Sequence, residues 1–597
     1  MPVTVEKRGT VAVVTINNPP VNAIGKAERA GLLQAASTLA TEDSIERVVL
    51  TGNDGIFAAG ADAREFASDP QPPHLPDVIA TIEQSPVPWI AAINGAALGG
   101  GAEIALGCRY RIASPAATIG FPEVNLGIVP GAGGTQRLPR LIGMAQALGI
   151  ISEGRTLKAG DAAGIGFIDA VEADPLSVAS MIDLAAIFQR PPLADAAHPD
   201  ADDIAIAAAR ERVARHMRQQ IAPLEAINLV AATVSLPFEE GMAMERASFL
   251  KLRASDQAKA LRHVFFAERA AKAPEPIASA RPLEVKQAVV AGGGNTGASI
   301  AFALDKAGIG VNIVEMDDES ASQARCNIAR LAGDAEQSGI LPAEGATRIK
   351  ERIKVMVGYD QLPPAELGIE AASEDKAVKI QAFASLEKSL PRSAILATSK
   401  ASHLINEIAL TLIDPGRVIG LHFGGPAHAT RLLEIVRGDA SSNVALATGF
   451  ALGKKLRKIP VLCGVGDGLI GNRILARYLE ATDKLLMDGA TPEDIDGAMT
   501  EFGYQMGPCE ALELQGFDRA DTNRKWQALA KSRNRHALSG SEIQERLVTA
   551  MINEAAAILD EGVAKAAADI DLVTIHGCGF PRWRGGLLFY AGTIGIG

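Results

Sequence analysis

Glu103 and Glu123 stand inside the most glycine-rich and least charged stretch of the chain, Asn94 to Thr135, which reads NGAALGGGAEIALGCRYRIASPAATIGFPEVNLGIVPGAGGT. An ionised carboxylate buried without a partner is costly, so acids in such a setting either shift their pKa or find hydrogen bonds. Two of them close together can divide general acid and general base work. The plainer alternative is a helix-start charge for Glu103 and a loop carboxylate for Glu123. Glu103 follows Gly99, Gly100, Gly101 and Ala102, and residues 102–107 read as the first turns of a buried helix. Glycines at a helix start let a ligand approach backbone N–H groups, which makes Gly100 a candidate donor to a developing oxyanion.

A second chemistry-bearing pattern begins at Val285. VKQAVVA (285–291) reads as a strand, Gly292 to Gly297 match GxGxxG, Ala298 to Ala307 read as a helix, and Val311 to Val314 form a second strand that ends at Glu315. Strand, glycine turn, helix and a downstream acid together are a dinucleotide-binding signature. In that reading Gly292 makes the turn, Gly294 lets a pyrophosphate approach and Gly297 lets the helix pack on the sheet. Glu315 accepts from the adenosine ribose hydroxyl and repels a 2′-phosphate, which favours NAD over NADP.

The elements that must carry these residues follow from periodicity. The first 190 residues alternate short β runs (11–16, 47–50, 89–93) with helical stretches, an α/β pattern. Residues 202–272 read as almost wholly helical until Ala273-Pro274-Glu275-Pro276 interrupts them, which marks a linker. His263 in this stretch reads as structural. At ~150 residues per domain, 597 residues hold about four domain-sized units, and 48% apolar content is ample for their cores. The net charge of −12, with no long basic run, argues against a nucleic-acid partner. Cys108, Cys326, Cys463, Cys509 and Cys578 show no CxxC spacing, so reduced, buried thiols are expected and no metal site is indicated. MPVTVEKRG lacks the apolar core of a signal peptide, no apolar run reaches the ~20 residues of a membrane helix, and the last residues, Gly-Ile-Gly, are no peroxisomal tripeptide. A soluble protein of a bacterial cytoplasm, with no membrane partner, is the expectation.

GGGAE followed by GFPEVNLGIVPGAGGTQRLPR resembles the crotonase family, specifically its enoyl-CoA hydratases. The resemblance extends upstream through NNPPVNAI (17–24) and GIFAAGADAREF (55–66). It implies that the N–H of Ala61 joins that of Gly100 around a thioester carbonyl of a coenzyme A substrate, each donor supplying on the order of 3 kcal/mol in the transition state. Glu103 and Glu123 would hold one water between them, one activating it for attack on C3 and the other protonating C2. Δ3,Δ2-enoyl isomerases of the family need only the acid at the Glu123 position; both acids are present here, which favours hydration.

The later segments are similar to multifunctional enoyl-CoA hydratase/3-hydroxyacyl-CoA dehydrogenases. GLHFGGPAHATRLLEIVRG (420–438) resembles the dehydrogenase catalytic segment, with His422 at a strand end and Glu434 in the helix after the loop. That resemblance makes His422 the acceptor of the hydroxyl proton and Glu434 the residue that orients it; imidazole suits the task because its pKa lies near neutrality. His428 is a rival by proximity. Glu374 and Lys379 in EAASEDKAVK fall where the family contacts the cofactor, and Asn472 in GLIGNR where it contacts acyl-CoA. The implied architecture is a multidomain α/β chain: a crotonase (ClpP/crotonase-like spiral ββα) core at 1–190, its helical tail and connecting helix at 191–273, a Rossmann NAD-binding domain at 284–460, an all-α dehydrogenase C-terminal domain at 461–535 and a truncated second copy at 536–597.

Three departures stand against it. The family's asparagine-threonine-serine turn is Ser399-Lys400-Ala401 here, so a hydroxyl that bonds the substrate's 3-oxygen is missing, a loss of about 1.5 to 3 kcal/mol or roughly ten- to a hundredfold in rate. Gly424 and Gly425 replace larger residues after the histidine. The stretch joining the two helical copies (467–518 and 541–590) is largely absent. These set up a second reading, an enoyl-CoA hydratase or isomerase with an impaired dehydrogenase half, beside a third, a non-enzymatic acyl-CoA sensor. No motif for a thiolase partner is readable.

Overall fold

The strands Val11–Ile16, Arg47–Gly52 and Trp89–Ile93 are runs of apolar and β-branched residues with hardly a polar interruption, the composition of strands covered on both faces. In the computed structural model, which describes residues 2–372, 375–400, 404–514 and 538–596, they are the centre of a six-stranded sheet. Its order is Val3–Arg8, Val11–Ile16, Arg47–Gly52, Trp89–Ile93, Tyr110–Ala113, Ala170–Val171, and only the first pair is antiparallel. A smaller sheet, Ala96–Leu98, Thr118–Gly120 and Thr156–Lys158, positions the chemistry. Leu98 pairs with Gly120 in parallel register, so the chain leading to Glu103 and the chain leading to Glu123 leave neighbouring strand ends in the same direction.

By backbone proximity the chain divides into two compact units, Met1–Arg262 and His263–Gly597. The boundary falls inside the helix Asp256–Ala270, upstream of the Ala273 to Pro276 break read as the linker, because that helix continues unbroken and its Ala267 already belongs to the apolar core of the second unit. The first unit ends in the expected helical series, Asp203–His216, Ile221–Ala232 and Phe238–Ala254.

The second unit is built on an eight-stranded sheet in the order Lys354–Val357, Gly310–Glu315, Gln287–Ala291, Leu367–Glu370, Ile395–Thr398, Val418–Phe423, Leu432–Val436, Ile459–Cys463. All neighbours are parallel except Val418–Phe423 and Leu432–Val436. That exception corrects one expectation: Glu434 lies on a strand, not in a helix. LLEIV is buried at every position, with side chains packed on both faces, which an amphipathic helix does not do. Helices occupy the two segments read as helical copies, as Gly471–Met487, Pro492–Phe502 and Pro508–Leu514, then Gly540–Asp560, Ala567–Cys578 and Leu587–Thr593 among the described residues. They share one apolar core, in which Tyr478, Met499 and Phe502 meet Leu547, Met551 and Leu587, so the described part of this region is a single compact assembly. His263 serves it structurally: its Nε2 lies 2.8 Å from Asp571, and its ring stacks on Phe589 at 4.6 Å. All five cysteines are free, but Cys326 is exposed on the outer face of its helix, against the expectation that every thiol is buried. Among the described residues no helix is long and apolar enough to cross a membrane.

Candidate active sites

The helix Gly100–Gly107 is buried along its whole length and begins at Gly99, whose φ of +52° suits glycine. Gly101 lies so close to the segment at Ala58 that a Cβ on it would stand 2.1 Å from the Ala58 carbonyl oxygen. The same approach brings the first-turn N–H of Gly100 towards Ala61, whose nitrogen is 3.5 Å from where a Gly100 Cβ would be. The two expected oxyanion donors are thus neighbours, and a first-turn N–H has no partner within its own helix.

Glu103 and Glu123 are both buried, yet they are furnished differently. Glu103 Oε1 accepts from the N–H of Ala132 at 2.7 Å and of Gly134 at 3.0 Å. Burial pushes its carboxyl above the ordinary range, and these two N–H groups and the Arg137 cation pull it back. Glu123, at the start of the 3-10 turn Glu123–Leu126, has a buried Oε2 with no hydrogen-bond partner. Burial, then the charge of Glu103, pushes its carboxyl well above the usual carboxylate range. The pair is therefore unequal: both carboxyls are shifted upward, but Glu103 has donors that favour its charged form, whereas Glu123 is pushed further towards its protonated form.

One participant has no signature in the sequence. Glu245, on the helix Phe238–Ala254, is fully buried; its Oε1 accepts from the N–H of Gly133 at 2.6 Å and its Oε2 from the N–H of Thr135 at 2.9 Å and the Thr135 hydroxyl at 2.5 Å. Burial, then the charge of Glu103, pushes it up to about 8 against those three donors. More than a hundred residues separate it from its partners, so no local motif marks it. The available signal was a helix stripe: Gly241, Glu245 and Phe249, four apart, all meet the segment 131–136.

At the second site the glycine turn has the geometry a dinucleotide needs. Gly292 has φ +97° and a Cβ there would stand 2.6 Å from Ala372 Cα; a Cβ on Gly297 would stand 1.8 Å from the Gly292 oxygen; around Gly294 the space is open. Glu315 ends the second strand, half-buried, and accepts from the N–H of Gly293. A cradle that side chains would fill, a helix N-terminus and a carboxylate at the strand end fit an adenine dinucleotide. Glu374 and Ala401 lie outside the described residues. Lys379 is fully buried, its ammonium 2.7 Å from Glu370 and 3.4 Å from the Thr398 hydroxyl, and it has no surface to offer a cofactor directly.

His422 and Glu434 face each other across the one antiparallel pairing of this sheet. His422 Nδ1 is 2.6 Å from Glu434 Oε2, which assigns the ring proton to Nδ1 and leaves Nε2 able to accept. Glu434 Oε1 accepts from the N–H of Ile470 at 3.1 Å and of Gly471 at 3.3 Å, at the start of the helix Gly471–Met487. Asn472, exposed, is the next residue of that turn. His428, the rival, is engaged elsewhere, its Nδ1 2.9 Å from the Ser299 hydroxyl on the helix that follows the glycine turn.

Comparison with known proteins assigns both parts of the chain to known families. Residues 6–244 match the enoyl-CoA hydratase/isomerase family, 287–488 the NAD binding domain of 3-hydroxyacyl-CoA dehydrogenase, and 468–549 the C-terminal domain of the same enzyme family. The peroxisomal bifunctional enzyme of Cavia porcellus is 35% identical over 98% of this chain and 92% of its own length. The Homo sapiens peroxisomal bifunctional enzyme is 33% identical over the same shares. The glyoxysomal fatty acid beta-oxidation multifunctional protein MFP-a of Cucumis sativus is 30% identical over 99% of this chain and 93% of its length. The chain belongs to the multifunctional enoyl-CoA hydratase/3-hydroxyacyl-CoA dehydrogenases of fatty acid β-oxidation, whose dehydrogenase half works with NAD.

Proposed function

We propose that the first site hydrates a trans-2-enoyl-CoA and that the second oxidises the resulting 3-hydroxyacyl-CoA, with the residue roles that follow. The observation that carries the assignment is the unequal supply of donors to the two acids: two N–H groups at Glu103, none at Glu123 Oε2. Glu103, ionised, takes a proton from the water whose oxygen bonds to C3. Glu123, protonated, gives its proton to C2. The thioester oxygen, which gains charge as C3 is attacked, lies between the N–H groups of Ala61 and Gly100.

At the second site His422 Nε2 takes the proton of the 3-hydroxyl, and Glu434 stabilises the imidazolium that results. NAD, when bound, supplies the acceptor for the hydride leaving C3. Gly292, Gly294 and Gly297 admit its pyrophosphate, Glu315 takes the ribose and Asn472 meets the acyl-CoA; Glu374, outside the described residues, is assigned to the same cofactor by the resemblance of its segment alone. Lys379 acts on this site through Glu370 rather than by touch.

Mixing the purified protein with a 2-enoyl-CoA and NAD tests the whole reading: NADH accumulates, and Glu123→Gln lowers hydration by on the order of 10³-fold. Loss of the enoyl group without NADH removes the second activity. A hydratase or isomerase with an impaired dehydrogenase half is favoured by one sequence feature, Ala401 where a serine is expected. Ala401→Ser raises oxidation about tenfold or more if that hydroxyl is what is missing; no gain while NAD still binds supports the impaired form. For the compartment the reading is cytoplasmic, supported by five free thiols; activity found in a sedimentable organelle of the native cells overturns it.

A further inference from the structure

Four consecutive N–H groups, from Ala132 and Gly133 in the loop to Gly134 and Thr135 in the first turn of the helix Gly134–Ile142, point alternately to two different acids. Ala132 and Gly134 donate to Glu103, whereas Gly133 and Thr135 donate to Glu245. We propose that Glu245 is a positioning residue of the hydration reaction, holding the loop 132–135 so that its other two N–H groups stay on the carboxylate of Glu103. This rests on the reading of Glu103 as the base that activates water.

A peptide segment whose N–H groups alternate in direction cannot turn all of them to one acid. If the Gly133 and Thr135 donors lost their acceptor they would seek another, and the other carboxylate already bonded to this segment is Glu103. The resulting peptide rotation would take Ala132 and Gly134 away from it. Glu245 is anchored for the task. The Thr135 hydroxyl, which receives a hydrogen bond from Gln136 Nε2 at 2.9 Å, directs its own proton to Glu245. Gly241, one turn earlier on the same helix, has no side chain to keep it from Gln136, since a Cβ there would stand 2.1 Å from Gln136 Oε1. On the opposite side Arg137 donates to the Ala132 carbonyl at 3.0 Å while paired with Glu83 at 2.7 Å, so the loop is held at both edges. Glu245 does not meet water or thioester itself; it acts through backbone.

The test uses the full chain. Glu245→Gln keeps the shape but turns an N–H donor towards one of the loop N–H groups. The hydration kcat falls about tenfold or more with KM within twofold, because Ala61 and Gly100 are not touched. Amide hydrogen exchange rises in the peptide containing 132–135 and nowhere else in residues 1–262. Thr135→Val, which removes only the hydroxyl donor, gives a smaller loss of the same kind, and Thr135→Ser recovers most of the rate. A kcat within twofold of wild type overturns the proposal, as does faster exchange throughout residues 1–262, which would make Glu245 a general stability residue. A wild-type chain that hydrates no enoyl-CoA would instead overturn the reading on which the proposal rests.

Discussion

At the scale of single residues, what separates Glu103 from Glu123 is two backbone N–H groups rather than any difference in side-chain chemistry. This has a consequence for pH. Glu123 must hold its proton to deliver it to C2, and its pKa lies well above the usual carboxylate value because of burial first and the charge of Glu103 second. The acid form is therefore the active one, and the hydration kcat falls as pH rises through that raised value, above the ordinary carboxylate range. A pH profile of kcat with saturating enoyl-CoA checks the sign; a rate that instead rises through this range would exchange the roles of the two acids. The pairings of Glu103 with Glu123 and of His422 with Glu434 were foreseeable because their neighbours in sequence carry a pattern. Glu245 was not, because its function depends on residues brought to it by the fold, and an isolated glutamate on a helix face has no distinguishing neighbourhood.

At the scale of elements, the small sheet does the positioning. Parallel pairing of Leu98 with Gly120 sends Glu103 and Glu123 out of adjacent strand ends, and the close approach of Gly101 to Ala58 brings Gly100 next to Ala61. Gly101→Ala puts a methyl 2.1 Å from a backbone oxygen that cannot step aside cheaply. The hydration KM rises and kcat/KM falls about tenfold or more, while oxidation of added 3-hydroxyacyl-CoA keeps its rate. Steady-state kinetics on both substrates reads this directly. The long strands were visible in sequence as apolar runs, whereas three-residue strands such as Ala96–Leu98 are too short to show any period. Glu434 shows the other limit: LLEIV reads equally well as buried helix or buried strand, and only its pairing with Val418–Phe423 decides.

At the scale of the molecule, the order of domains was legible because each begins with a strong local pattern, while the point of division was not. A proline-rich break looks like a boundary, but a continuous helix carries the chain past the division to reach it. The two chemistries sit in different units, so a fault in one should leave the other intact. Gly297→Ala drives a methyl to 1.8 Å from the Gly292 oxygen and abolishes NAD binding in a calorimetric titration. Hydration by the same preparation is unchanged; a parallel loss of hydration would show that the two halves depend on each other for more than covalent linkage.

Glu434 receives its remaining hydrogen bonds from Ile470 and Gly471, at the head of the first helix beyond the nucleotide-binding sheet. The His422–Glu434 pair is therefore completed by a segment that lies beyond the sheet. The hydrogen-bonded surroundings of Glu434 thus extend past the nucleotide-binding sheet. A recombination that cut cleanly after the last strand, Ile459–Cys463, would transmit a competent cofactor site together with an acid that has lost its backbone donors. Whatever rearranges or shortens the helices further along, the turn at 470–472 is the part of them that cannot be traded away.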